Sequence, residues 1–223
     1  MKSILYIGLL LLILTSCQKK YYEYLIQNTA IRTATNFNRG SSFVYAIDGD
    51  TAATQQFDVY SAIHSGFYDF KNAAKNGPYY SYEILRYGIR SNSSDSISFS
   101  ADGHSNADSG SISGYVSFVA DTFGVHTFFM VIPFVTDSMQ PIKDAEGTSA
   151  FAIAYYDSME VNGKYYKQVY EMLNKQVPDS NNRISYLRTF YSVPDGLVKF
   201  EKKKGNGDWE TRTLLRSNIV RYR

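Results

Sequence analysis

Cysteine occurs once in 223 residues, at Cys17, so the chain forms no internal disulfide and no four-thiolate metal site. Histidine is nearly as scarce. His64, His104 and His126 are 40 and 22 residues apart, with no His-Glu-x-x-His pattern and no local ligand pair, and no zinc site is expected from them. Charge of one sign is lacking too: 23 Lys and Arg stand against 21 acids, a net +2, which excludes an obligate nucleic-acid binder. The uncharged run Ile4–Leu14 has eleven residues. As a helix it would span about 16 Å, far short of a bilayer core near 30 Å, and is no permanent membrane span. No long 3.6-residue apolar pattern follows residue 20. What the chain does have is 44% hydrophobic residues, enough for a real core, and 20 tyrosines.

Lys2 ahead of the Ile4–Leu14 run, with Thr15 and Ser16 behind it, has the layout of an export signal. Leu14-Thr15-Ser16-Cys17 resembles the lipobox of bacterial lipoproteins, in which the type II signal peptidase cuts before the Cys. That resemblance implies a diacylglyceryl thioether on Cys17 and, usually, acylation of its new amine. The sole cysteine thus has no thiol left for redox chemistry or catalysis. Two or three acyl chains make such an anchor effectively permanent. Gln18 follows where an Asp would favour the inner membrane, so the resemblance implies outer-membrane placement. The missing acidic stretch leans towards a periplasm-facing position.

Period-two alternation predicts the body. Ile97, Phe99 and Ala101 alternate with serines, Ile112, Val116 and Phe118 face one way, and Val125–Val135 is almost continuously apolar, with Pro133 marking a strand end or bulge. Asn162-Gly163 predicts a two-residue hairpin between strands ending near Val161 and starting at Lys164. Further strands are expected over 184–193, 197–202 and 209–215, joined by Pro194-Asp195-Gly196 and by Gly205–Asp208. A short helix is expected around Phe67–Ala74. The predicted fold class is all-β, mainly antiparallel, a sandwich or meander with few short helices behind an N-terminal signal helix. The expected segments are 1–16 signal, 17–38 anchor and tether, 39–140 an N-terminal β subdomain and 141–223 a C-terminal β-meander. The string Lys164–Tyr170, Phe190-Tyr191, Gly196–Phe200 and Trp209 is similar to uncharacterised outer-membrane lipoproteins, which implies a β fold with no known activity. Asp121–His126 looks like the tyrosine corner of immunoglobulin-like sandwiches, with His126 where the Tyr belongs.

Catalytic constellations are weak. Gly110-Ser111-Ile112-Ser113-Gly114 puts Ile112 where a nucleophile elbow needs Ser, and strand alternation explains the serines. Asp102–Asp108 and Asp48-Gly49-Asp50 carry oxygen ligands but not the spacing of a calcium loop, and read as turns whose side chains bond their own backbone. No catalytic residue, metal ligand or cofactor is assigned. The tyrosine pairs Tyr155-Tyr156 and Tyr165-Tyr166 carry the ligand-binding expectation, because neighbours on a strand point to opposite faces and an outward ring can stack on a sugar or a protein. Lys199, Lys202–Lys204, Arg212, Arg216, Arg221 and Arg223 make the last hairpin basic, as in lysine-protected edge strands or surfaces touching anionic lipid. Asp50-Thr51-Ala52, Asp95-Ser96-Ile97, Asp137-Ser138-Met139 and Asp157-Ser158-Met159 resemble an O-glycosylation sequon of Gram-negative envelope proteins. The functional expectation is a membrane-anchored, non-enzymatic accessory or binding protein of the envelope. Its partners are the bilayer through acylated Cys17 and an envelope protein or glycan, with no nucleic acid. A glycan-binding module using exposed tyrosines is the first alternative. A periplasmic hydrolase with a fold-assembled site around a histidine is the second.

Overall fold

A computed structural model describes residues 21–71, 78–93, 95–102, 111–120, 124–133, 142–143, 149–175, 184–204 and 207–222. The signal segment, Cys17, His104, the 121–123 part of the expected corner and the 137–139 sequon lie outside them. The described elements are β1 (Tyr21–Tyr24), α1 (Thr29–Thr35), β2 (Ser42–Ile47), β3 (Asp50–Lys71), β4 (Tyr79–Ser91), β5 (Ser96–Asp102), β6 (Ser111–Ala120), β7 (Gly124–Pro133), β8 (Ile142–Lys143), β9 (Ser149–Val161), β10 (Lys164–Lys175), β11 (Ile184–Ser192), β12 (Gly196–Lys204) and β13 (Trp209–Asn218).

These strands make one sheet of two meanders laid side by side, in the order β7-β6-β5-β4-β3-β2-β13-β12-β11-β10-β9-β8. Every pair along that path is antiparallel, and the seam between the meanders is β13 on β2, from Asn218 opposite Ser42 to Arg212 opposite Ile47. The sheet rolls up until β7 lies against β9, β10 and β11 from the other meander. The all-β, mainly antiparallel architecture is as alternation predicted, and each alternation has one face in the core. Ile97, Phe99 and Ala101 of β5 and Ile112, Val116 and Phe118 of β6 are all buried. The Asn162-Gly163 hairpin forms with both residues at positive φ, 51° and 74°, the twist that matches the flanking strands.

The core is a tiling of rings from both meanders. Tyr45 and Phe57 pack edge-on to Phe200 with centroids 5.5 and 6.3 Å away, and Phe118 lies 6.0 Å from the same ring. Phe99 meets Tyr191 at 4.9 Å. Neither meander therefore holds a separate core. Gly114 lets β6 approach the β5 backbone closely, since a Cβ there would stand 1.9 Å from the Ser98 carbonyl oxygen.

The helix expected around 67–74 does not form over its described part, 67–71. Residues 67–71 continue β3 and pair with β4 from Phe67 opposite Glu83 to Lys71 opposite Tyr79, so the available ladder overrides local pattern. The helix is α1 instead, within the stretch read as tether. Asn28 caps it by accepting from the Ala30 and Ile31 N–H groups at 2.9 and 3.2 Å. Ile26, Ile31, Ala34 and Phe37 are buried completely, so the chain folds onto the body from β1 onward. Glu83, itself buried, holds that stretch by accepting from the Ile26 N–H at 2.8 Å and from Arg32 at 2.6 Å.

At its far end α1 leaves carbonyls without helical partners. Tyr191 donates its hydroxyl to the Ala34 carbonyl at 2.6 Å. With that proton committed, Tyr87 donates to the Tyr191 oxygen at 2.9 Å. The chain end closes the same region. Arg221 donates to the Thr33, Asn36 and Pro194 carbonyls and lies 4.5 Å above the Phe37 ring. The basic last hairpin is not an edge either, because β12 and β13 are both internal strands. Three of its cations are matched within the sheet: Lys199 with Glu201 at 2.6 Å, Lys202 with Glu210 at 2.8 Å and Arg212 with Glu210 at 2.6 Å.

Candidate functional site

Three surfaces could meet a partner, and the β9–β10 hairpin is the one the sequence singles out. Tyr165 and Tyr166 diverge as strand neighbours must: Tyr165 is 69% exposed and Tyr166 only 1%. Tyr166 belongs to the core, with Lys164 4.6 Å over its ring, and offers no face to a ligand. Tyr155 and Tyr156 are each 37% exposed, on opposite faces of β9. Tyr155 leans on Tyr170 with centroids 4.9 Å apart. Tyr156 donates to Glu171 at 2.6 Å, and that buried carboxylate also accepts from Arg188 Nε at 2.6 Å. The hydrogen bond to Glu171, aided by desolvation, raises the Tyr156 pKa. Glu160 does the same to Tyr165 through its own hydrogen bond. All three phenols stay neutral at physiological pH, each exposing a ring face while its hydroxyl bonds a neighbouring carboxylate. They do not converge on one pocket.

A polar cleft of about 340 Å³ lies where β4 turns into β5, lined by Ile47, Thr54, Gln55, Asn92, Ser93, Asp95 and Arg212. Arg212 Nε donates to Gln55 Oε1 at 3.0 Å, and Gln55 Nε2 donates to Asp95 Oδ2 at 2.9 Å and Ser93 Oγ at 2.8 Å. Arg212 continues through Glu210 to Lys202. The arrangement is a chain of alternating donors and acceptors, each holding the next. It can receive a polar group through its exposed rim, Asn92 and Ser93, while buried Arg212 and Asp95 keep the floor rigid. No histidine lines it, so it brings together no serine–imidazole pair.

The third surface was not anticipated. β1 runs parallel to the start of β4, past the end of β5, with Tyr22 opposite Tyr80 and Tyr24 opposite Tyr82. The rings stack, at 5.6 Å for Tyr22 on Tyr80 and 5.2 Å for Tyr24 on Tyr82, and Tyr80 lies 6.3 Å from Tyr82. The pairs Tyr21-Tyr22 and Tyr79-Tyr80 are visible in the sequence, but only the pairing of β1 with β4 makes them one block.

The remaining candidates have structural roles. His64 stacks on Tyr222 at 4.8 Å, and burial lowers its pKa. His126 lies within β7, opposite Phe118. Asp48 and Gly49 form a turn at positive φ; Asp50 accepts from the nearby Ala52 N–H as expected of such turns, whereas Asp48 accepts from the Thr211 N–H of β13 and ties the turn to that strand. Among the described residues no group of three or more His, Cys, Asp and Glu is placed to hold a metal.

No family model matches the chain, and no curated protein matches it. Among solved structures it is similar to a domain from Vibrio parahaemolyticus designated an outer membrane lipoprotein-sorting protein, at 8% identity and a TM-score of 0.23, over 84% of this chain and 88% of that one. It is also similar to a DUF1329 family protein from Desulfovibrio piger, at 11% identity and a TM-score of 0.20, over 85% and 90% of the two chains. Likeness at that level carries no argument about what this chain does. The class of protein is set by its own geometry: a single rolled antiparallel sheet filled with aromatic rings.

Proposed function

We propose that this chain is an acyl-anchored lipoprotein of the bacterial outer membrane that acts as an accessory or binding protein. The observation that carries the reading is Leu14-Thr15-Ser16-Cys17, behind a charged start and an eleven-residue apolar run, with the one cysteine of the chain at its end. The surfaces favour recognition over chemistry. The cleft residues Arg212, Gln55 and Asp95 are tied to one another, and the exposed tyrosines are spread across faces that suit contact with a partner. Growth with a clickable palmitate analogue should label the wild-type protein and fractionate it with the outer membrane. Cys17→Ala should remove the label and release the protein, and persistent label or unchanged fractionation would refute the anchor.

The second reading is glycan binding by Tyr155, Tyr156 and Tyr165. It is supported by their exposure and by neutral phenols held beside carboxylates. Titration of the protein with cell-wall muropeptides should perturb these ring resonances selectively. Silence across a glycan array would end that reading.

A further inference from the structure

The stacked block of Tyr22, Tyr24, Tyr80 and Tyr82 includes β1, the first described element after Cys17, and Cys17 and Tyr22 are separated in sequence by Gln18, Lys19, Lys20 and Tyr21. The four Cα-to-Cα steps from Cys17 to Tyr21 reach at most about 14 Å when fully extended. A bilayer's headgroup layer is about 5–8 Å thick on each side of its hydrocarbon core. An acylated Cys17 must sit at that layer, so β1 cannot leave its vicinity. Tyr21 is 60% exposed, and Tyr22, Tyr24 and Leu25 are 41–42% exposed. A phenol has an apolar ring and a polar tip, the combination that favours the membrane–water interface. Lys19 and Lys20 add positive charge beside anionic headgroups.

We infer that the β1–β4 tyrosine block rests in the headgroup layer of the bilayer and sets the orientation of the whole body. The inference depends on the lipid anchor proposed above. Its consequence is specific. From Tyr82 to Ser91 β4 runs ten residues, about 30 Å at the usual strand rise, and Asn92 follows. The Gln55–Asp95–Arg212 cleft is at that far end, and so is Trp209, three residues before Arg212 on β13, with Arg212 opposite Ile47. The cleft therefore opens away from the membrane, towards the aqueous compartment.

The test uses the full mature protein reconstituted in phosphatidylethanolamine–phosphatidylglycerol vesicles carrying a shallow brominated phospholipid. Tryptophan fluorescence is compared between wild type, whose one tryptophan is Trp209, and a Trp209→Phe/Tyr24→Trp variant. The tryptophan introduced at position 24 should be quenched at least about threefold more than Trp209, as expected of an interfacial ring against a distant one. Hydroxyl-radical footprinting of the unmodified chain gives the same comparison without a variant, with Tyr22 and Tyr24 protected on vesicles and Trp209 at the far end not. Equal quenching and equal oxidation, with an intact mass showing acylated Cys17, would overturn the inference and leave the anchor standing. A dimer in detergent that Tyr24→Ser dissolves would overturn it by assigning the block to a second copy. If the mass shows an unmodified Cys17, the anchor reading fails. The inference then stands only if the soluble protein floats with these vesicles and Tyr22→Ser/Tyr24→Ser does not.

Discussion

Two groups of tyrosines in this molecule share a side chain and little else. Tyr45, Tyr87 and Tyr191 are completely or almost completely buried, and each hydroxyl has a defined acceptor: the Leu197 carbonyl at 2.7 Å for Tyr45, the Tyr191 oxygen for Tyr87 and the Ala34 carbonyl for Tyr191. Tyr22, Tyr24, Tyr155, Tyr156 and Tyr165 present their rings to the surroundings. The difference shows how a β protein so rich in one residue avoids ambiguity. A buried phenol without an acceptor would cost about 1–3 kcal/mol, and each of these three is fixed by a backbone carbonyl or another hydroxyl. An outward tyrosine has water and is left available for recognition.

Alkaline titration should separate the groups most strongly. Burial raises the pKa of Tyr45, Tyr87 and Tyr191, while the unfolded chain ionises near the ordinary value of 10. Their contribution to stability is therefore complete below about pH 10 and declines above it, by about 1.4 kcal/mol per pH unit for each ring until its folded pKa is reached. Three such rings act in the same direction, so alkali should unfold the sheet before they ionise in place. The far-UV β signal should collapse together with a step in tyrosinate absorbance. Ionisation of the buried rings in an intact sheet would show that they are not sealed.

Removing the clamp above these rings is the next largest change. Arg221→Ala gives up the hydrogen bonds to Thr33, Asn36 and Pro194 and the contact with Phe37, and should lower urea stability by about 2–4 kcal/mol. Tyr191→Phe leaves the Ala34 carbonyl and the Tyr87 hydroxyl unmatched in the core, a loss of about 1–3 kcal/mol in the same measurement. Tyr165→Ala should stay within about 0.5 kcal/mol of wild type. If glycan binding is the function, it should nevertheless weaken muropeptide affinity. A large stability loss there would mean that the exposed ring is structural after all.

The strands were legible because their alternation is local: β5 and β6 follow directly from apolar residues spaced two apart, and the Asn162-Gly163 turn announces its hairpin. The roll of the sheet was not, because the seam pairs Ser42 with Asn218 and no local pattern encodes that partner. Helix α1 escaped notice for being one short, capped segment with three buried residues, Ile31, Ala34 and Thr35. Which tyrosine of a pair turns inward depends on register, so the sequence marks Tyr165 and Tyr166 alike and packing distinguishes them. The β1–β4 block requires a parallel pairing across 58 positions, from Tyr21 to Tyr79, that only the fold supplies. The lipid anchor proposed at Cys17 is the reverse case, resting on a short local pattern, Lys2, Ile4–Leu14 and Leu14-Thr15-Ser16-Cys17, and on nothing in the fold.

That reading is the one on which the orientation of the sheet and the role of its outward rings depend. Intact-protein mass spectrometry of material extracted from membranes tests it directly. The account predicts a mature chain beginning at Cys17 and heavier by a diacylglyceryl group and an amide-linked acyl chain. A mature chain with a different first residue, or with a free Cys17 thiol, would contradict it.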